Sequence, residues 1–153
     1  MANIPNIPSD WGSIKLEKIT ESSDFWALFD ELVDDKSGFF HNRSSILDAY
    51  KNGMLYGLSI VETDSMYKRG AGNDSLFCKN SLYMLPCFCI KKEPDCCDML
   101  WVHTRARRLD FGSELVRLLG ITKVDNVLDT SIGFWDKCGV DLSNVCVTKT
   151  HHK

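Results

Sequence analysis

The chain has 153 residues, of which 44% are hydrophobic and 25% charged, and its formal net charge is −3. These values predict one globular domain over residues 1–153 and exclude a disordered chain or one that coats nucleic acid. No apolar run approaches the roughly twenty residues that cross a bilayer, and the polar start lacks the features of a secretory signal. We therefore expect a cytoplasmic protein without a membrane partner.

An odd number of cysteines in a chain without a secretory signal argues against a disulfide framework. The seven are Cys78, Cys87, Cys89, Cys96, Cys97, Cys138 and Cys146. Most are predicted to be small buried side chains. The alternative is a zinc site built from Cys87, Cys89, Cys96 and Cys97. No C-x-x-C pair occurs, however, and Cys87 and Cys89 fall on one face of a strand, so no metal is predicted.

The first third of the chain predicts one strand and two helices. Residues 14–20 alternate between apolar and polar, as in a half-buried strand. The next apolar residues recur at helical spacing, after Ser22 or Ser23 as N-cap and before Gly38. They are Phe25, Leu28, Phe29, Leu32 and Val33. A shorter helix is predicted from Ser45, which resembles a capping box with Asp48, to the stop signal Gly53.

Three apolar segments then predict strands over residues 54–63, 81–93 and 98–104. A polar loop, residues 64–80, separates the first two, and Pro86 predicts a bulge or an edge position. A helix follows from near Phe111 to Gly120, then a strand over residues 124–130 and a short helix over residues 131–139 with Ser131 as its cap. The last fourteen residues suffice for one strand. The predicted order is β, α, α, β, β, β, loop, α, β, α, β, an α/β fold.

The stretch "RARRLDFGSELVRLLG", residues 105–120, places a basic loop before a helix. The first N–H groups of a helix have no partners within it, and the helix dipole adds partial positive charge there. Gly112 permits a close approach of the backbone, while Arg107 and Arg108 add charge. The stretch predicts a pyrophosphate site. A solvated basic turn is the alternative, and these features alone leave both open.

Two motifs carry a resemblance to the GNAT superfamily of acetyltransferases. Residues 107–112, "RRLDFG", resemble its R-x-x-G-x-G loop, and residues 131–140, "SIGFWDKCGV", resemble its second signature, F-Y-x-x-x-G-F. The element order is also similar to that fold, which has a mixed, mostly antiparallel central sheet flanked by helices. The segments "GSELVRLL" and "SIGFWDKCGVDLSN" look most like spermidine/spermine (diamine) acetyltransferases. The resemblance implies acetyl-coenzyme A as cosubstrate and a small polyamine or diamine as acceptor.

The resemblance also implies a set of site residues. Backbone groups of Trp101, Val102 and His103 would hold the pantetheine and the thioester carbonyl. The pyrophosphate would lie on the loop and the first helical turn, which are Arg107, Arg108, Leu109, Asp110, Phe111, Gly112 and Ser113. Asp98 takes the place of the acidic residue that accepts the proton of the amine, and Trp135 that of the tyrosine that protonates the thiolate. His103 and Cys138 are weaker candidates for proton transfer.

Three departures from the family pattern bear on activity. Asp110 replaces the first glycine of the loop and brings a carboxylate near the phosphates. Trp135 lacks an acidic hydroxyl. The C-terminal end is shorter than in the family, so the final hairpin is incomplete, and we expect a homodimer in which a second chain covers the exposed edge.

Other functions remain open. One is acetylation of protein lysines or N termini, and another is coenzyme A binding without catalysis. A nucleic-acid binder is disfavoured because the arginines are confined to one loop without interleaved aromatic residues.

Overall fold

The computed structural model describes residues 14–35, 43–60, 77–81, 83–143 and 145–148. The strands are β1 (Ile14–Lys18), β2 (Leu55–Ile60), β3 (Met84–Glu93), β4 (Cys96–Val102), β5 (Lys123–Val124), β6 (Asn126–Leu128) and β7 (Cys146–Thr148). The helices are α1 (Ser22–Asp34), α2 (Arg43–Lys51), α3 (Phe111–Leu119) and α4 (Ile132–Lys137). Short 3₁₀ helices cover Thr104–Leu109 and Asp129–Ser131.

The main sheet has five strands in the order β1-β2-β3-β4-β5. Its first four strands are antiparallel to their neighbours, and β5 runs parallel to β4. β6 and β7 pair in parallel as a separate two-stranded sheet. The predicted mixed, mostly antiparallel sheet flanked by helices is therefore confirmed. Within the described ranges, no helix has the length and apolarity to span a membrane.

Two apolar cores lie on the two faces of the sheet. One joins α1 and α2 to the sheet through Phe25, Leu28, Phe88 and other side chains. The second joins the sheet to α3 and α4, and Phe111 is one of its members. Burial of two separate helix faces on one sheet is the main apolar contribution to stability.

β4 contains a bulge that reverses the alternation of its side chains. Ile90 of β3 pairs with Met99, whereas the next residue of β3, Lys91, pairs with Cys97, so Asp98 is the additional residue. Such an insertion bends the strand locally. After the bulge, the side chains of β4 alternate between the two cores. Met99 and Trp101 contact the α1/α2 core, while Leu100 and Val102 contact the α3/α4 core.

The seven cysteines are free thiols, and five of them are buried, as predicted for most. Cys87 and Cys89 do lie on one face of β3, in the α3/α4 core. The Sγ atoms of Cys89 and Cys97, on neighbouring strands, are 3.4 Å apart. Burial raises the pKa of the Cys87 thiol far above its usual range. Cys87 is therefore a protonated packing group at neutral pH.

Two of the three predicted N-caps are wrong, whereas Ser131 is the N-cap of α4 as predicted. Ser22 and Ser23 lie inside α1, and Glu21 occupies the N-cap position because its carbonyl already accepts a hydrogen bond from the Phe25 N–H at 3.1 Å. Ser45 likewise lies inside α2. Val33, predicted on the buried face of α1, is 49% exposed. The helix stops were predicted correctly, since Gly53 and Gly120 both adopt positive φ just after their helices.

Other predicted boundaries shift as well. The strand predicted over residues 124–130 is divided into β5 and β6, which belong to different sheets, with Asp125 between them. Pro86 lies in a central strand, where the register with β2 shifts between Met84 and Phe88, so the bulge prediction is confirmed and the edge prediction is wrong. Gly38, residues 61–63 and most of the predicted loop lie outside the described residues.

Candidate functional site

The segment from β4 to α3 passes through a 3₁₀ helix and a left-handed residue. The His103 N–H donates to the Pro86 carbonyl at 2.9 Å, and the Ala106 N–H then donates to the His103 carbonyl at 2.8 Å. Asp110 has φ 60° and ψ 25°, and among the described residues no other non-glycine has positive φ. The backbone at this position favours glycine. Asp110 thus stands in a conformation that suits the glycine of the R-x-x-G-x-G loop.

The first N–H groups of α3 have no acceptor within the helix, because the helical hydrogen bonds begin only at Glu114. The Glu114 N–H donates to the Asp110 carbonyl at 3.1 Å. The N–H groups of Phe111, Gly112 and Ser113 therefore precede this bond and point out of the helix end. The Asp110 side chain makes no capping hydrogen bond to them. An anion of suitable size can be bound by these groups.

The basic residues of the loop are only partly described. Arg107 is exposed, and its Nε donates to the Val102 carbonyl at 3.1 Å, so the guanidinium folds back toward the end of β4. The side chains of Arg108 and Leu109 lie outside the described part of the chain. The Phe111 side chain is buried in the core, which leaves its N–H as the group facing the loop.

Gly112 is needed for packing. A Cβ at this position would lie 3.2 Å from Phe134 Cζ and 3.5 Å from Val102 Cγ2. The direction of the missing side chain is thus filled by α4 and by the end of β4. The glycine allows α4 to pack closely on the first turn of α3, and it does not point into open space.

The two parallel strands β4 and β5 separate early. They pair only at Cys96 with Lys123 and at Cys97 with Val124, after which the Asp125 N–H makes a 3.4 Å contact with the Cys97 carbonyl. Beyond Cys97, the described chain supplies no further strand along this edge of β4. We name this unpaired part of the β4 edge the opening, and its apex is the point after Cys97 and Val124 at which the pairing ends.

The bulge decides which main-chain groups face this opening. Because His103 is hydrogen-bonded to β3, Met99 and Trp101 also direct their N–H and C=O groups toward β3 by the alternation of an antiparallel ladder. Leu100 and Val102 direct theirs to the open side. Of the three residues predicted to offer backbone groups, only Val102 does so, and Leu100 was missed.

Trp101 and His103 lie on the face covered by α1. Trp101 is 1% exposed, and its Nε1 donates to Asp35 Oδ2 at 2.9 Å. The His103 Nε2 lies 4.0 Å from Glu31 Oε1 and 3.9 Å from Asp34 Oδ2. The expectation that His103 and Val102 face opposite ways agrees with this arrangement. Neither the indole nor the imidazole reaches the α3 side of the sheet.

Asp98, at the bulge, is paired with a lysine. Its Oδ1 lies 3.3 Å from Lys92 Nζ, and the same ammonium lies 3.2 Å from Asp125 Oδ2. The hydrogen bond to Asp125, and to a smaller extent the one to Asp98, raises the pKa of Lys92. Its side chain is therefore cationic at neutral pH. The carboxylate predicted to accept a proton already has a cation as its neighbour.

Trp135, which the resemblance puts at the position of the tyrosine that protonates the thiolate, lies in the core. Trp135 is 6% exposed and meets the Phe134 ring edge-on, with centroids 5.0 Å apart. Cys138 is half-buried, 4.0 Å from Ser113 Oγ, and burial raises its pKa. Both residues act in packing α4 against α3.

A groove of about 460 Å³ runs between α3 and α4. Its lining includes Ser113 of the first helical turn, the cations Arg117 and Lys137, and Cys138. Arg117 is hydrogen-bonded to the buried carboxylate of Glu114. The other oxygen of Glu114 is buried without a hydrogen-bond partner in the structure. The groove therefore has two cationic side chains, one of them paired with Glu114, and reaches Ser113 of the first turn of α3.

Sequence reasoning missed Lys92, Asp125, Phe134 and Glu114. The first three act through residues distant in the chain, and no local pattern signals such contacts. Glu114 carried a signal, since it lies next to the apolar face of a strongly amphipathic helix. Within the described chain, no group of three or more histidine, cysteine or carboxylate side chains is arranged to bind a metal ion.

Comparison with known proteins does not identify a family. No family model matches the chain, and neither the curated proteins nor the solved structures contain a significant match. The function has to be argued from the geometry and from the two motifs.

Proposed function

We propose that this protein is an N-acetyltransferase that transfers the acetyl group of acetyl-coenzyme A to a primary amine. The early end of the β4–β5 pairing carries the proposal, because it leaves the main-chain groups of the following β4 residues without a partner strand in the described chain, and β4 is followed by the loop and α3. A linear amide such as pantetheine can hydrogen-bond to a strand edge, and a pyrophosphate to a helix end. The first GNAT-like motif falls on the loop and the first turn of α3, and the second falls on α4, which packs on that turn.

Coenzyme A would lie along the opening. Its pantetheine would bond to the main-chain groups of Leu100 and to the Val102 N–H, since the Val102 carbonyl accepts from Arg107, and its pyrophosphate would bond to the N–H groups of the first turn of α3. Arg107 would supply a charge-assisted hydrogen bond to a phosphate. The groove between α3 and α4 offers cationic side chains to the further phosphate of the nucleotide.

Acetyl transfer requires a neutral amine, an oriented thioester and a stabilised oxyanion. Asp98, at the apex of the opening, would accept the proton of the amine. A small polyamine or diamine is the proposed acceptor, since the chain is net acidic and the motif likeness favours that subfamily. Solvent, rather than Trp135, would protonate the departing thiolate because the indole is buried.

Coenzyme A binding without catalysis is the second candidate. The ion pair between Lys92 and Asp98 favours it, because a paired carboxylate is less available to a substrate amine. The burial of Trp135 favours it too, since the family's acid would be absent.

Calorimetric titration with coenzyme A, followed by turnover on a panel of amines, tests the proposal. We expect Arg107→Gln to weaken binding about 10- to 100-fold, the loss of one hydrogen bond to a charged group. Lys79→Gln is the matched control, because this exposed lysine also carries one positive charge but lies against α1. Absence of binding by the wild-type chain would refute both candidates, and binding without turnover would leave the second.

A further inference from the structure

Lys92 spans the point at which β4 and β5 part. Asp98 is the first residue of β4 after the last pair with β5, and Asp125 is the first residue after β5. The Lys92 ammonium lies 3.3 Å from Asp98 Oδ1 and 3.2 Å from Asp125 Oδ2. A primary amine is therefore held at the apex of the opening, hydrogen-bonded to the carboxylate that the proposed function needs as its proton acceptor.

This position follows from backbone irregularities on both strands. Asp98 is the additional residue of β4, and Lys92 is the additional residue of β3 between the pairs Lys91–Cys97 and Glu93–Cys96. The two inserted residues meet as an ion pair. The Lys92 side chain remains 47% exposed, so it is fixed at its tip and still reachable from solvent.

We propose that Lys92 is a self-acetylation site, an inference that rests on the proposed acetyltransferase function. Asp98 takes a proton from the ammonium, directly or through water, and the neutral amine attacks the carbonyl carbon of the bound acetyl thioester. A C–N bond forms and the C–S bond breaks, and the proton that the attacking nitrogen then loses passes through water to the departing thiolate. The products are Nε-acetyllysine and coenzyme A.

Acetylation changes the electrostatics of the apex. An acetylated lysine carries no charge and no longer pairs with Asp98 or Asp125. The carboxylate of Asp98 is then available to the ammonium of an external amine. Self-acetylation would thus remove the cation that opposes substrate binding in the unmodified chain.

The neighbouring lysine provides a matched control. Lys91 is adjacent in sequence, but its Nζ lies 6.0 Å from the centroid of the Tyr56 ring and not at the carboxylate pair. Chemical acetylation by a thioester in solution would modify the two lysines according to exposure and basicity. Transfer within the opening would select Lys92.

The experiment is incubation of the full chain with acetyl-coenzyme A, followed by peptide mapping by mass spectrometry. We expect acetylation at Lys92 to exceed that at Lys91 by at least about tenfold in the folded chain, with the preference lost in urea. Similar occupancy of the two lysines in the folded chain would overturn the proposal.

Two variants, each lacking one carboxylate, test whether Asp98 accepts the proton of Lys92 or only pairs with its charge. Asp98→Asn should slow acetylation of Lys92 by a factor of about 10² or more if Asp98 accepts the proton. Asp125→Asn removes the other partner and should not slow it, because that carboxylate only favours the charged amine. If Asp98→Asn accelerates the reaction as Asp125→Asn does, Asp98 merely holds the ammonium and the proposal is wrong.

Turnover on the panel of amines distinguishes failure of self-acetylation from failure of the acetyltransferase function. Turnover of a free diamine with Lys92 unmodified would overturn self-acetylation and leave the acetyltransferase function standing. Failure to bind coenzyme A would overturn both.

Discussion

Replacements of Asp110 distinguish the effect of its backbone conformation on stability from the effect of its charge on the affinity for coenzyme A. With φ 60° and ψ 25°, Asp110 occupies a left-handed conformation that costs a residue with a side chain about 1 kcal/mol or more. Asp110→Gly removes this cost but adds about 0.5–1 kcal/mol of chain entropy in the unfolded state. The two terms nearly cancel. Asp110→Ala keeps the unfavourable conformation and adds no such entropy, and the Asp110 side chain makes no capping hydrogen bond to lose, so we expect its free energy of unfolding to be close to that of the wild-type chain.

The charge of Asp110 acts on a different quantity, the affinity for coenzyme A. Two unit charges about 6 Å apart repel by roughly 0.7 kcal/mol in water and about 2.8 kcal/mol at an effective dielectric constant of 20. Removal of the carboxylate beside a bound pyrophosphate should therefore tighten binding about 3- to 100-fold. Asp110→Asn tests this with the same side-chain shape, and the gain should shrink at high salt.

Urea unfolding and calorimetric titration at two salt concentrations are the assays. We expect tighter binding for both Asp110→Asn and Asp110→Gly, with the free energy of unfolding nearly unchanged. An unchanged affinity of Asp110→Asn at low salt would refute a phosphate at this helix end. A loss of about 1 kcal/mol in Asp110→Gly would refute the left-handed backbone, because the entropy cost would then act without any relief of strain.

Four further outcomes are expected. Gly112→Val should lower the free energy of unfolding by about 1–3 kcal/mol, because its side chain meets Phe134 and Val102; unchanged stability in urea would contradict that packing. Trp135→Tyr should retain coenzyme A binding and leave kcat unchanged, because a side chain buried at this position does not reach the thiolate, and a raised kcat in the folded variant would contradict that burial. Burial raises the pKa of Cys96 to about 11 from an unfolded value near 9.0, so stability present below pH 9 should fall as the pH rises toward 11, and less so in Cys96→Ala. Sedimentation at micromolar concentration should show a homodimer, and monomer alone would contradict the exposed-edge argument.

The elements that depend on local chemistry could be predicted from the sequence. Helix α3 begins at Phe111 and is followed by Gly120 as predicted, because apolar spacing and a left-handed glycine are properties of neighbouring residues. The strands were found in the right order for a similar reason, since alternation and long apolar runs are visible along the chain. The open helix end after a basic loop follows from the same local signals.

The contacts that give the candidate site its chemistry were decided by the tertiary structure. The bulge at Asp98 arises from the register between β3 and β4, and it determines that Leu100 and Val102 face the opening while Trp101 and His103 do not. The pairing of Lys92 with Asp125 joins residues 33 positions apart. Val33 was predicted to be buried, yet its helix turns that position to solvent. Spacing along a chain specifies which residues share a face, but the partner that covers the face, and the strand that lies opposite, depend on how distant segments pack.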